Sequence, residues 1–134
     1  MTYFTTNQQY PLGIDLSVYN CSADGRRRPN FDLIAAHQPA VEFIAMRTGQ
    51  SWGYCDPSFS YYLAEAQRIG VCILPYHVVF PGESARRQMD SFLNILAGVE
   101  IESVRLVLDL ELDHSQTRGK ITQTLGECLK ILQA

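Results

Sequence analysis

The chain has 134 residues, 46% of them apolar and 19% charged, with a formal net charge of −3. That length suits one domain with a real hydrophobic core. Mild acidity removes any broad attraction for nucleic acid or anionic lipid, and no apolar run reaches the roughly 18–20 residues that span a membrane as a helix.

Residues 1–11 are polar and aromatic without a period and read as an arm ending at Pro11. They lack the basic and apolar segments of a secretory leader, so the expectation is synthesis in the cytosol, with action elsewhere only on release. Leu12 to Val18 then alternates: Ile14, Leu16 and Val18 share one face, Asp15 and Ser17 the other, which predicts a strand. Arg26-Arg27-Arg28 follows in a loop flanked by Gly25 and Pro29, and three charges there read as a solvated loop. Phe31 to Ala36 is a short helix. Val41 to Arg47 is the second strand, ending at Thr48-Gly49, and the loop Gln50 to Cys55 carries Trp52 and Tyr54.

Asp56-Pro57 is a helix start, an acceptor side chain followed by proline at the first helical position. Phe59, Tyr62, Leu63, Ala66 and Ile69 keep the spacing of an amphipathic helix that Gly70 stops. Val71 to Phe80 is nearly continuous in apolar residues, as a parallel strand covered on both faces should be, and Pro75 marks a bulge or its end. Pro81-Gly82-Glu83 opens a third helix with Met89, Phe92, Leu93 and Leu96 on its apolar side. The fourth strand is Val104 to His114. A final helix presents Ile121, Leu125, Cys128, Leu129 and Leu132. Four cysteines, Cys21, Cys55, Cys72 and Cys128, are widely spaced without a CxxC, so no metal or disulfide is assigned; Cys72 and Cys128 read as small core residues.

A strand–helix unit repeated four times predicts an α/β fold with a parallel sheet and right-handed crossovers. Function in such sheets gathers at the carboxyl ends of the strands. The polar residues there are Asp15 and Ser17, Arg47, Tyr76 and His77, and Asp109 and Glu111. The fourth strand is the most unusual. Residues two apart on a strand share a face, roughly 6.6–6.8 Å apart. Asp109, Glu111 and Asp113 would then project together, with Leu110 and Leu112 on the buried side. Asp113 also reads as a helix cap, with Gln116 completing a capping box.

Adjacent carboxyls that cannot both ionise comfortably are suited to acid/base work, and glycoside hydrolysis needs such a pair. Glu111 is the expected acid, having the longer reach, with Asp109 and Asp15 as anionic partners. Tyr76 would orient a carboxylate or bind an acetamido group, and Trp52 and Tyr54 would stack on sugar faces. Blander readings stand beside these: His77 as a core histidine, Arg47 as a counter-charge to the acidic cluster, and Trp52 and Tyr54 as loop anchors. A divalent-metal site from Asp15, Asp109, Glu111 and His77 is chemically reasonable but ranks lower, because the spacing has no ligand signature.

Five motifs in order resemble one family. Gly13-Ile14-Asp15-Leu16-Ser17, Phe43 to Gly49, Tyr54-Cys55-Asp56-Pro57-Ser58-Phe59, Pro75-Tyr76-His77 and Leu108-Asp109-Leu110-Glu111 are similar to segments of the family 25 glycoside hydrolases, the Chalaropsis-type lysozymes that include many phage endolysins. The resemblance covers residues 12 to 134. It implies an irregular β/α barrel of five βα units followed by three further strands, and hydrolysis of the β-1,4 bond between N-acetylmuramic acid and N-acetylglucosamine in peptidoglycan. It also implies Glu111 as general acid, Asp15 and Asp109 as supporting carboxylates, and Tyr76 and Arg47 lining the site. No cofactor is implied. Tyr19 stands where the family carries Trp, and Val78 where it carries Phe.

A complete eight-stranded barrel takes about 250 residues, so the expectation over 12–134 is a partial barrel of about four βα units. The chain is then expected to be a truncated piece of such a barrel, or its open edges and uncovered inner face favour association, through a homodimer or a partner that completes the barrel. The alternative function is a non-catalytic module that binds glycan or assembles without turnover.

Overall fold

A computed structural model describes residues 10–100 and 104–134. The arm expected over residues 1–11 therefore lies mostly outside the described residues, and so does the segment 101–103. The elements run β1 (Leu12–Leu16), a 3-10 turn (Val18–Asn20), α1 (Phe31–Ala36), β2 (Val41–Gln50), β3 (Tyr54–Cys55), α2 (Phe59–Ile69), β4 (Cys72–Val78), α3 (Ala85–Ile95), β5 (Val107–Asp109) and α4 (Arg118–Gln133).

Four strands lie parallel in the order β1-β2-β4-β5, each followed by a helix, and β3 folds back antiparallel on the end of β2. This is the α/β arrangement expected, a sheet curved as part of a barrel and not closed. The helix-facing side of the sheet carries Ile44, Met46 and Ile73, which pack with Tyr62 and Ala66 of α2, Met89 and Phe92 of α3, and Cys128 of α4 to form the core. The opposite side, the inner wall of the partial barrel, is only partly covered: Phe43, Ala45 and Leu74 are half-buried, and Val107 is exposed. Gly13 of β1 is needed on this side because the Phe43 ring lies 2.0 Å from where a Cβ would stand.

Helix boundaries follow local chemistry. Gly70 ends α2 in the left-handed conformation at φ 73°, with its N–H donating to the Ala66 carbonyl. Ser84 caps α3 by accepting from the Arg87 N–H, three residues past the expected start. Thr117 caps α4 through the Lys120 N–H. Asp113 is therefore not the cap of that helix. Its carboxylate accepts from Ser115 N–H in a tight turn ahead of it, because the chain needs one more reversal before α4 can reach α3.

Three further expectations are corrected. β5 stops at Asp109, so Leu110 and Leu112 lie beyond the helix layer and are exposed, at 39% and 65%. Cys72 is exposed at the first position of β4, while Cys128 is buried as expected. His77 does not share a face with Tyr76. Successive strand residues point to opposite sides, and His77 enters the helix layer, fully buried, with its ring centroid 5.4 Å from that of Phe92. Neither of its ring nitrogens has a hydrogen-bond partner among the described residues.

Burial lowers the His77 pKa to about 4. The unfolded chain takes up a proton near the ordinary value of 6.5, and the folded chain does so only near 4. Stability from this group is complete above the unfolded value and falls as pH drops through that window, by about 3 kcal/mol in total at one unit per 1.36 kcal/mol. Urea denaturation of wild type and His77→Leu at pH 7 and pH 4.5 should show a steeper acid loss in wild type; parallel losses would remove this role.

Candidate active site

The inner wall gathers one polar group from each parallel strand. In register, Asp15 of β1 lies beside Ala45, Arg47 beside Tyr76, and Tyr76 beside Val107, so these side chains share the inner side. Asp109 lies two residues past Val107 on that same side, one layer nearer the strand end. Glu111 follows just past β5, close enough to Asp109 for the two carboxyls to interact by hydrogen bonding and charge. The period of two thus delivers the expected pair even though the strand has ended.

Burial pushes the Asp109 pKa up to about 6, and the neighbouring Glu111, by hydrogen bond and charge, and then Asp15 push the same way. For two coupled carboxyls the retained proton belongs to the pair. Tyr76 is 8% exposed. Burial raises its pKa first, followed by the Asp15 carboxylate against its hydroxyl and the charge of Asp109, while Arg47 opposes them. Asp15, Tyr76, Asp109 and Glu111 therefore form one electrostatic group.

Arg47 is held differently from what a counter-charge role predicts. Its guanidinium Nε donates to the Asp56 carboxylate at 2.8 Å, with side-chain exposures of 9% and 0%. Asp56 also accepts from the Val18 N–H at 3.1 Å and from both the N–H and hydroxyl of Ser58. Burial alone would raise the Asp56 pKa, but the Ser58 hydrogen bonds, then Arg47 and Val18, outweigh it and hold the carboxyl below its ordinary value. On Arg47, burial opposes the charge, and Asp56 more than restores it. The sequence marks Asp56 as a helix start within a family-like motif, not as the partner of a buried ion pair. The overlooked signal is an arginine inside an apolar strand, which demands a buried acceptor.

A bulge in β2 between Arg47 and Gly49 sets the rim. Beyond it, a turn with Gly53 at φ 86° brings Tyr54 back against Gln50, a short hairpin that the sequence reading leaves as loop. The Arg47 guanidinium consequently lies 5.2 Å from the Tyr19 ring and 5.6 Å from the Tyr54 ring. Tyr54 joins the site. Trp52 instead meets Arg87 of α3, 3.5 Å from guanidinium carbon to ring centroid, and His77 faces the helices. With His77 on the other side of the sheet, the four-residue metal set is not assembled, and no group of three or more His, Cys, Asp and Glu among the described residues could hold an ion.

Removing one partner of a buried ion pair strands the other, at a cost of about 3–5 kcal/mol. Asp56→Ala should therefore lower the urea-derived unfolding free energy by that order, and adding Arg47→Ala should recover part of the loss. Full additivity of the two substitutions would show that the pair is not coupled.

Comparison with known proteins places this geometry. A search of curated proteins finds no match. Among solved structures, the chain is similar to a family 25 glycosyl hydrolase from Bacillus anthracis, with TM-score 0.79 and 15% identity over 92% of this chain and 55% of that one. The bacterial lysozyme from Streptomyces coelicolor gives TM-score 0.68 and 17% identity over 90% of this chain and 57% of that one. The catalytic domain of endolysin ply40 from bacteriophage P40 of Listeria monocytogenes gives 0.67 and 10%, over 95% and 62%. The chain thus spans somewhat more than half the length of these structures, and the likeness confirms the α/β fold of a partial barrel. The sequence model of glycosyl hydrolases family 25 matches residues 14–134, and the chain belongs to that family.

Proposed function

We propose that this protein acts as a muramidase, or carries the acid-bearing portion of one, cleaving the β-1,4 bond between N-acetylmuramic acid and N-acetylglucosamine. The observation that carries the reading is the Asp109–Glu111 pair at a strand's carboxyl end, where burial, Glu111 and Asp15 push the Asp109 pKa up to about 6. Glu111, exposed and beyond the strand, is the acid that protonates the glycosidic oxygen. Asp109 and Asp15 supply the negative charge that an oxocarbenium-like transition state attracts. Tyr76 and Arg47 orient the sugar against them, and Tyr54 offers a ring face at the rim. The substrate lies in the cell wall, so the protein acts only where it reaches that wall.

Clearing of purified cell walls tests this. Glu111→Gln should slow it by at least about a hundredfold, the usual worth of a general acid. EDTA should leave the rate unchanged, whereas a metal-dependent hydrolase would lose it. Activity should fall as pH rises above about 6 and the pair gives up its proton. Equal clearing by wild type and Glu111→Gln would overturn the enzyme reading.

The open inner wall favours a second reading, a non-catalytic module that binds glycan or assembles with other polypeptide. Co-sedimentation of wild type and Glu111→Gln with cell walls, without clearing by either, would support it. Phe43, Leu74 and Val107 on the partly covered wall, and the unpaired edges of β1 and β5, lead us to propose that a second copy or another chain covers this side. Light scattering should then report a mass above that of one chain; a monodisperse, folded monomer would overturn it.

A further inference from the structure

A well-formed cleft lies away from the carboxylates. It is a cleft of about 510 Å3 between the β2–β3 hairpin and α3. Trp52 and Tyr54 form one wall; Arg87, Asp90, Ser91 and Asn94 form the other. The walls are tied together. The Ser51 hydroxyl bonds the Glu83 carboxylate just ahead of α3, and the Arg87 guanidinium stacks on the Trp52 ring at 3.5 Å. Gly49 permits the close packing beneath: a Cβ there would meet the Tyr54 carbonyl at 2.1 Å and the Ile95 Cδ1 at 3.3 Å.

The cleft's chemistry is specific. Trp52 is 48% exposed and Tyr54 38%. The ion pairs among the described residues leave Arg87 without a carboxylate. Asp90, the one acid on the wall, lies 3.6 Å from Arg86, which offsets its charge. What remains is an unpaired guanidinium already flattened on an indole, with hydroxyl and amide groups one and two turns along the same helix. Such a set recognises a carboxylate on a short chain of amides. A bare pyranose uses none of that cationic charge.

The cleft shares Tyr54 with the Arg47 rim of the inner wall. Tyr54 lines it while lying 5.6 Å from the Arg47 guanidinium, and Arg47 is in register with Tyr76.

We propose that this cleft binds the acidic peptide stem carried by the lactyl group of the muramic acid unit, with Arg87 pairing its carboxylate. The inference rests on the muramidase reading for the identity of the glycan, but it concerns different residues. Stem binding converts part of the hairpin from a fold element into a determinant of specificity, favouring wall that still carries its peptides over stripped glycan.

Calorimetry with the intact chain tests it, using the disaccharide N-acetylglucosaminyl-N-acetylmuramic acid with and without an L-alanyl-D-glutamate stem. The stem should tighten binding by about fivefold or more, the worth of one exposed charge-assisted contact. Arg87→Glu should abolish that gain and leave affinity for the bare disaccharide unchanged; Arg87→Lys should keep part of it. Circular dichroism of each variant verifies folding at this exposed position. Equal binding of the two disaccharides, or a gain that survives Arg87→Glu, overturns the cleft and leaves the muramidase reading intact. Binding of neither disaccharide overturns both. Binding of the stem-bearing disaccharide alone, lost in Arg87→Glu, with no affinity for the bare disaccharide, upholds the cleft and counts against the muramidase reading.

Discussion

The Arg47–Asp56 ion pair is the constraint on which the site depends. One carboxylate receives Arg47 of β2, the Val18 N–H at the exit of β1 and the Ser58 N–H and hydroxyl at the entry to α2. Three segments far apart in sequence are thereby fixed at one end of the sheet. An unpaired guanidinium or carboxylate at this depth would cost several kcal/mol, so neither residue is tolerable without the other. The pair also fixes where the positive charge lies: between the Tyr19 and Tyr54 rings and beside Tyr76, at the rim of the wall.

That placement explains the behaviour of the acids. Had Arg47 reached Asp109 or Glu111, it would have favoured both anions and removed the proton from the pair. Because its nearest carboxylate is Asp56, the inner acids see mainly one another, and burial of Asp109 adds to their mutual repulsion. An arginine within the site thus coexists with a proton-retaining pair. The division of roles is geometric: one carboxylate stabilises the fold, and the others remain uncompensated.

Much of this was legible in the sequence where local periodicity coincides with tertiary facing. Alternation in Leu12–Leu16 and in Leu108–Glu111 is enough to place Asp15, Asp109 and Glu111 on one side, since pleating does not depend on distant contacts. The same rule, applied strictly, separates Tyr76 from His77. Grouping both by their position at a strand end overlooked it. Leu110 and Leu112 misled for another reason: alternation tells which side a residue faces, but only the tertiary layer tells whether anything covers that side. Asp56 was underread because a cap and a buried ion pair leave the same local signature, and the Asp56–Pro57 start satisfied the first without raising the second. The β2–β3 hairpin rests on a turn through Ser51 and Gly53 and a two-residue pairing, too short to carry a period.

The two sides of the sheet divide the requirements of the site. Its position is set from behind: Ile44, Met46 and His77, each at 0% exposure, alternate along β2 and β4 with inner-side residues such as Arg47 and Tyr76 and lock those strands against α2 and α3. Close packing of that layer keeps the site's geometry without any help from the inner wall. Its dielectric is set from the front, where Phe43, Ala45 and Leu74 are only half covered. Any polypeptide or glycan that covers this side removes water from Asp109, and desolvation already acts there to hold the proton. Covering the wall would therefore make the pair hold its proton to higher pH. The desolvation acting on Asp109 thus links its proton affinity to whatever occupies the open side.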